Sequence, residues 1–197
     1  MIAPLTQLGY PLLFAAVFGE SAGLPIPGET ALLGAGVMAG AGHLALPLVI
    51  AIAAGAAILG DNLGYAIGRR GGRRLLLRPG PFAGWRHRTL HRAEAFFARH
   101  GHAAVFLARW VPVARYMTPL TAGAAAMPRR RFLVFNAAGA IAWCATLPIL
   151  AAVLGPAGAA SFSLFGLLVT VGGAALAALR GFVARRNPDP IAALATA

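Results

Sequence analysis

Phe18-Gly-Glu-Ser-Ala-Gly-Leu-Pro-Ile-Pro-Gly-Glu29 places two carboxylates and a Pro-x-Pro-Gly break inside one long run of apolar residues. A carboxylate near the middle of a bilayer costs about 2.5–3.5 kcal/mol even on the most tolerant insertion scales, so an acid kept there reads as functional. Pro25 and Pro27 remove two amide donors and force extended geometry on the residues before them, which ends any continuous helix. From residue 10 to residue 41 the run is otherwise apolar, with Glu20, Ser21, Glu29 and Thr30 as its polar positions. This predicts two half-helices around an irregular middle, with Pro25, Pro27 and Gly28 at the break. Freed backbone is tolerated at membrane depth only where protein buries it or where it lines a wet cavity. An ordinary proline-kinked spanning helix would also carry the prolines, but a kink does not need two acids.

The composition agrees with a membrane setting. The chain has 197 residues, is 59% hydrophobic and 11% charged, and has a mean hydropathy of +0.74. These values place the chain among integral membrane proteins, and its apolar segments read as an all-α single membrane domain over residues 1–186 followed by a disordered tail, 187–197. The net charge of +12 comes from arginine, since the chain has no lysine. The arginines cluster in a few places, and little chain outside the apolar runs remains to build a nucleic-acid-binding face, so no nucleic-acid partner is expected. The single cysteine, Cys144, lies in an apolar run and reads as filler. No basic residue precedes Glu20, so the start lacks the basic region of a cleavable signal peptide.

Downstream, Leu44–Gly68 is long enough to cross a bilayer at about 1.5 Å per residue. Gly60, Gly64 and Gly68 recur every fourth residue and predict one smooth face for close helix packing. Asp61 has two readings: an interfacial ion pair with Arg69 and Arg70, or a proton or substrate role. Residues 69–102 carry nine arginines against one acid, Glu94, which predicts a cytoplasmic segment. After the break at Pro79-Gly-Pro81, Leu90, Ala93 and Phe97 fall at helical spacing and predict a short helix on the membrane surface.

A second special stretch, Ala108-Arg-Trp-Val-Pro-Val-Ala-Arg-Tyr-Met-Thr-Pro119, replaces the two acids with Arg109 and Arg115. Both flanks of the apolar segment 103–127 are basic, so it must enter and leave on the cytoplasmic side. This predicts a re-entrant hairpin with Pro112 and Pro119 supplying its turn. Residues 132–154 and 157–179 then read as two uncharged spans joined by Gly155-Pro156, with the C-terminus returning to the cytoplasm. Asn136, Trp143 and Pro148 read as packing and kink residues.

Each half is thus a broken hairpin followed by a spanning helix, and the halves run in opposite senses. The fold expected is two opposed re-entrant helical hairpins plus about three spanning helices, related as an inverted repeat. Such repeats, with discontinuous helices meeting near the midplane, place a transporter's substrate site between the breaks. Glu20 and Glu29 can offset Arg109 and Arg115, which lowers the cost of burying all four. Arginine also suits bidentate binding of phosphate.

At these residues the sequence resembles the DedA family of bacterial inner-membrane proteins, whose core is also called the VTT or SNARE-associated domain. The resemblance is carried by Phe18-x-Glu20, Pro25-x-Pro27-Gly28-Glu29, Gly60-Asp61-x-x-Gly64-Tyr65-x-x-Gly68-Arg69, His100-Gly101, Phe106-x-x-Arg109-x-x-Pro112-x-x-Arg115, Pro119-x-x-Ala122-Gly123 and Phe132-x-x-x-Asn136-x-x-Gly139. The resemblance implies a multi-pass protein of the bacterial inner membrane that moves lipids between leaflets. The lipid would be undecaprenyl phosphate or, for a flippase or scramblase of phospholipids, one such as phosphatidylethanolamine, and dependence on the proton gradient is implied as well. It also implies that Glu20, Glu29, Arg109 and Arg115 are needed for function. The chain has little before residue 10, so any extra N-terminal helix of relatives would be missing or very short.

The leading expectation is therefore a lipid transporter. Arg109 and Arg115 would bind the phosphate headgroup, while Glu20, Glu29 and Asp61 would serve proton coupling or charge balance. A membrane assembly factor whose hairpins merely pack is the alternative. An enzyme is not expected: the histidines lie at segment ends or in the basic segment, and neither a His-Glu-x-x-His pair nor a Gly-x-Ser-x-Gly elbow is present. No metal and no cofactor is expected.

Overall fold

The computed structural model describes residues 3–24, 26–80 and 83–186, which are helical apart from short turns. Pro25 and the expected tail, 187–197, lie outside the described residues. Helix α1 (Ala3–Ser21) is followed, after a break that ends at Pro27, by α2 (Gly28–Gly40). Helix α3 (Leu46–Ile67) follows, and a π-helical turn over Gly68–Gly72 joins it to the short α4 (Arg73–Leu77). Helix α5 (Ala83–Ala108) then breaks before α6 (Pro112–Ala124), and α7 (Arg129–Arg186) bends at Gly155, where φ is 68°.

The element order repeats. A helix, a break, a helix of 13 residues and a long apolar helix occur first as α1–α2–α3 and again as α5–α6–α7. The short helices even end alike. Gly42, at φ 78°, closes α2 with His43 N–H donating to Met38 O at 2.9 Å and Gly42 N–H to Ala39 O at 3.0 Å. Ala126, at φ 55°, closes α6 with Met127 N–H donating to Ala122 O at 3.1 Å and Ala126 N–H to Gly123 O at 3.0 Å. This paired bonding is how a helix finishes when the next residue turns left-handed, a position that glycine fills without steric cost and alanine does not.

Two expectations are corrected. The surface helix and the first arm of the second hairpin are one continuous helix of 26 residues, α5. Leu90, Ala93 and Phe97 belong to the same helical run that delivers Arg109, and no proline lies between them; Gly101 is carried inside the helix. Pro119 does not turn the chain: it sits in the interior of α6, while Pro112 occupies the first turn, where its missing amide costs nothing. The buried Pro119 ring instead packs at Gly64 on α3, 3.3 Å from where a side chain there would begin.

The glycines every fourth residue on α3 make the close-packing face. A methyl on Gly60 would lie 2.6 Å from the carbonyl oxygen of Phe18 on α1, and one on Gly68 would collide with the backbone of Leu120 on α6. Helices α1 and α6 therefore both press on α3, at successive turns. Helix α2 packs along α7, and α5 packs on α6 and α7.

Two hydrophobic clusters result. The larger joins α1, α2, α3 and α7 through residues such as Val17, Leu32, Val49, Ala57, Ala140 and Leu147. The smaller gathers Tyr65, Val105, Ala122, Met127 and Phe132 from the other helices around α3 and α7, with the Tyr65 and Phe132 rings stacked at 4.6 Å. Among the described residues, the segments Leu46–Leu77 and Arg129–Leu164 are long and apolar enough to cross a membrane. Leu59, Leu63, Val134, Ile141 and Val153 on these segments point outward and exposed, as suits contact with lipid rather than water.

Candidate functional site: a buried charged layer

The charges lie between the two hydrophobic clusters. On α3, Asp61 is one turn beyond Ala57 of the larger cluster and one turn before Tyr65 of the smaller; on α7, Asn136 holds the same place between Ala140 and Phe132. Glu20 (4% exposed), Asp61 (3%), Arg109 (8%) and Asn136 (4%) are buried. Groups this polar require partners when taken out of water.

Those partners come from different helices. Arg115 on α6 donates from Nη2 to Glu20 Oε1 on α1 at 2.8 Å, and its Nη1 lies 3.0 Å from Glu29 Oε2 on α2. The Tyr116 hydroxyl donates to the same Glu20 oxygen at 2.8 Å and accepts from Arg115 Nη2 at 3.0 Å. Arg115 thus clamps both sides of the first break. Gly28 makes room for this, since a side chain there would begin 2.7 Å from Glu20 Oε2.

Arg109, just past the end of α5, pairs instead with Asp61 on α3 through Nη1, which also donates to Asn136 Oδ1 at 3.2 Å. The expected division of charge is therefore corrected: the two glutamates serve Arg115 alone, and Asp61 supplies the counter-charge for Arg109. Asp61 is buried and pairs with Arg109 rather than with the exposed Arg69 and Arg70, because Gly60 and Gly64 on its flanks bring α1 and α6 against that side of α3.

Trp143 on α7 joins the two ion pairs. Its ring lies 4.7 Å from the Arg115 guanidinium carbon and 5.7 Å from that of Arg109, so both cations rest on one aromatic face system. Asn136 and Trp143, read from sequence as packing residues, are therefore members of the layer, and Tyr116 was not singled out at all. A signal existed for Asn136, since an amide in the middle of an uncharged span needs a partner somewhere. Tyr116 follows Arg115 directly and was legible only as a neighbour.

Space inside the layer is small. Cavities of about 10 Å³ each lie beside Glu20, Arg115 and Trp143 and beside Asp61, Arg109 and Asn136; room of that size admits about one water. Among the described residues, the Nε atoms of Arg109 and Arg115 and Asn136 Nδ2 have no hydrogen-bond partner. No group of three or more His, Cys, Asp or Glu side chains placed to hold a metal occurs among the described residues.

The fold and this layer define an all-helical membrane protein that keeps an organised set of charges in its interior. Residues 26–153 match the family profile of the VTT domain, a stretch that contains every member of the layer except Glu20. An uncharacterized membrane protein of Synechocystis sp. is 38% identical over 174 residues, covering 84% of this chain and 80% of that protein. Protein DedA of Escherichia coli K12 is 34% identical over 140 residues, 68% of this chain, and an uncharacterized membrane protein of Mycobacterium tuberculosis is 41% identical over 139 residues, 67% of this chain. The alignments span 63% of the length of each of these two relatives. No solved structure matches. The chain belongs to the VTT-domain family, the family of DedA.

Proposed function

We propose that the protein carries a phosphate-bearing lipid between the leaflets of the bacterial inner membrane, with undecaprenyl phosphate the leading candidate and a phospholipid such as phosphatidylethanolamine the alternative. The observation that carries this reading is the meeting of Arg115 with Glu20 and Glu29, one broken helix reaching across to the other at a layer enclosed by apolar packing. The repeated order of helix, break, 13-residue helix and long helix supports an inverted pair of re-entrant units with a substrate site between their breaks. The basic stretch 69–102 supports placing that segment and the C-terminus in the cytoplasm.

The mechanism is an exchange of anions. A guanidinium held by carboxylates can release them to a phosphate of like geometry and charge, provided the carboxylates are neutralised as it does so. Protons taken up by Glu20 and Glu29 as phosphate arrives on Arg115, and by Asp61 as it reaches Arg109, keep the layer's charge balanced at each step. The lipid's chain remains in the bilayer. No covalent step is required, so the protein acts as a carrier and not as an enzyme.

Cavities of about 10 Å³ cannot admit a headgroup, so the layer must open to carry one. The same closure favours a second reading, a membrane assembly factor in which the ion pairs only fasten helices. Proteoliposomes separate the two. Flux of undecaprenyl phosphate, or of a labelled phospholipid, should occur with the natural chain and vanish with Arg115→Lys, which keeps the charge but not the fork. Absence of flux with the natural chain would sink the carrier reading, and flux undiminished in the variant would sink the role given to Arg115.

A further inference from the structure

A second basic assembly lies beyond the layer. Asn62, Tyr65, Ala66, Arg69 and Arg70, from α3 and its π turn, face Arg129 at the start of α7 around an open cavity of about 600 Å³. That is within the range of small-molecule sites. Asp61, Tyr65 and Arg69 follow one another at intervals of four residues, so Tyr65 stands between the layer and the cavity, which lie roughly 12 Å apart along the helix axis.

We propose that this cavity is a receiving site for a phosphate monoester or diester group on its way to the layer. The inference draws on the carrier reading for the identity of the ligand class. Three guanidiniums and no carboxylate line the cavity among the described residues, and none of the three forms an ion pair there. Their neighbour Arg73 shows the contrast: it is held by Glu94 Oε1 at 2.6 Å and donates to Ala124 O at 3.1 Å. Cations brought together without a counter-charge repel one another until an anion joins them.

The backbone builds this convergence. A π turn holds more residues than an α turn, so successive side chains diverge less, and Arg69 and Arg70 both reach one cavity. The Tyr65 hydroxyl, fixed by donating to Met127 O at 2.5 Å, accepts from Arg69 Nη1 at 3.4 Å and steadies that side chain. Cytoplasmic orientation alone calls for arginines near the helix ends but not for their meeting across a cavity.

Calorimetric titration of the full-length protein in detergent tests the site, with three probes: dioctanoyl phosphatidic acid, inorganic phosphate and dioctanoylglycerol. Phosphatidic acid should bind saturably, and Arg69→Gln with Arg129→Gln should weaken it by about tenfold or more. Arg69→Lys with Arg129→Lys, which keeps charge without the fork, should lose less; both pairs are on exposed side chains and should stay monodisperse. Displacement of the lipid by inorganic phosphate at similar concentration would assign the site to free phosphate, and failure to displace it would assign the site to the lipid. Unchanged affinity in the Gln pair, or equal binding of dioctanoylglycerol, would overturn the receiving site. Loss of binding in the Gln pair alongside a natural chain that shows no lipid flux would instead overturn the carrier reading and leave this site standing.

Discussion

Arg115 stands 2.8 Å from Glu20 and 3.0 Å from Glu29, so a single guanidinium spans the turn between α1 and α2 from the opposite broken helix. Two carboxylates on one cation leave the pair with surplus negative charge, which the Tyr116 hydroxyl on Glu20 partly disperses. Glu20 and Glu29 are therefore unequal: the first is buried with two donors, the second is half-buried with one.

That inequality predicts different outcomes for the two acids. Glu20→Gln should abolish lipid flux and lower stability by about 3 kcal/mol, the order found when one partner of a buried pair is removed. Glu29→Gln should cost no more than about 1 kcal/mol, as for pairs that water still reaches. Unfolding midpoints in a detergent titration, set beside flux, check both.

Asp61 and Arg109 should behave as one unit. Asp61→Asn leaves Arg109 with an amide for company and should cost about 3–5 kcal/mol. Adding Arg109→Gln should recover part of that loss, giving a coupling energy of about 1–3 kcal/mol in a double-mutant cycle. Additive losses would mean that Arg109 is held by Asn136 and Trp143 instead.

Ala126→Gly should stabilise the protein. Alanine at φ 55° carries a steric cost that Gly42 avoids at the matching place after α2. The gain should be about 0.5–1 kcal/mol after glycine's greater freedom in the unfolded chain is subtracted, read as a raised thermal midpoint with flux unchanged.

Gly68→Ala should act in the opposite direction. The added methyl meets the Leu120 backbone, which cannot move without shifting α6 and with it Arg115. A loss of about 1–3 kcal/mol is expected, together with reduced flux, whereas Gly55→Ala, where nothing lies within 4 Å, should be tolerated.

Outside the spans, Glu94 gives a pH signature. Its hydrogen bond from Arg73, aided by the charge of Arg73 and by His91, holds its carboxyl below the ordinary glutamate range. A lowered value in the folded state means that the contribution is present at neutral pH and is lost as the pH falls through that lowered value. The stability difference between the natural chain and Glu94→Gln should therefore close under acid and shrink in high salt.

Local chemistry was legible in the sequence where it acts along the chain. The break at Pro27-Gly28, the glycine face of α3 and the bend at Gly155-Pro156 each follow from what a few adjacent residues permit. The pairing of charges was not, because Asp61 and Arg109 are 48 residues apart and only the packing of α1 and α6 on α3 decides which acid meets which arginine. Pro119 misled for the same reason: its ring reads as a breaker, but Gly64 offers it a notch and Pro112 had already started the helix. Trp143 looked like span filler because an indole face gives no sign of the cations that will settle on it.

The position of Trp143 between both guanidiniums makes the protein its own optical probe. Any motion that frees either arginine must change the electric field at that indole, so its emission should shift with each step of opening. Trp85 and Trp110 can be replaced by Phe to leave Trp143 as the sole tryptophan, excited apart from the tyrosines at the red edge of absorption, and the opening could then be timed in an unlabelled protein.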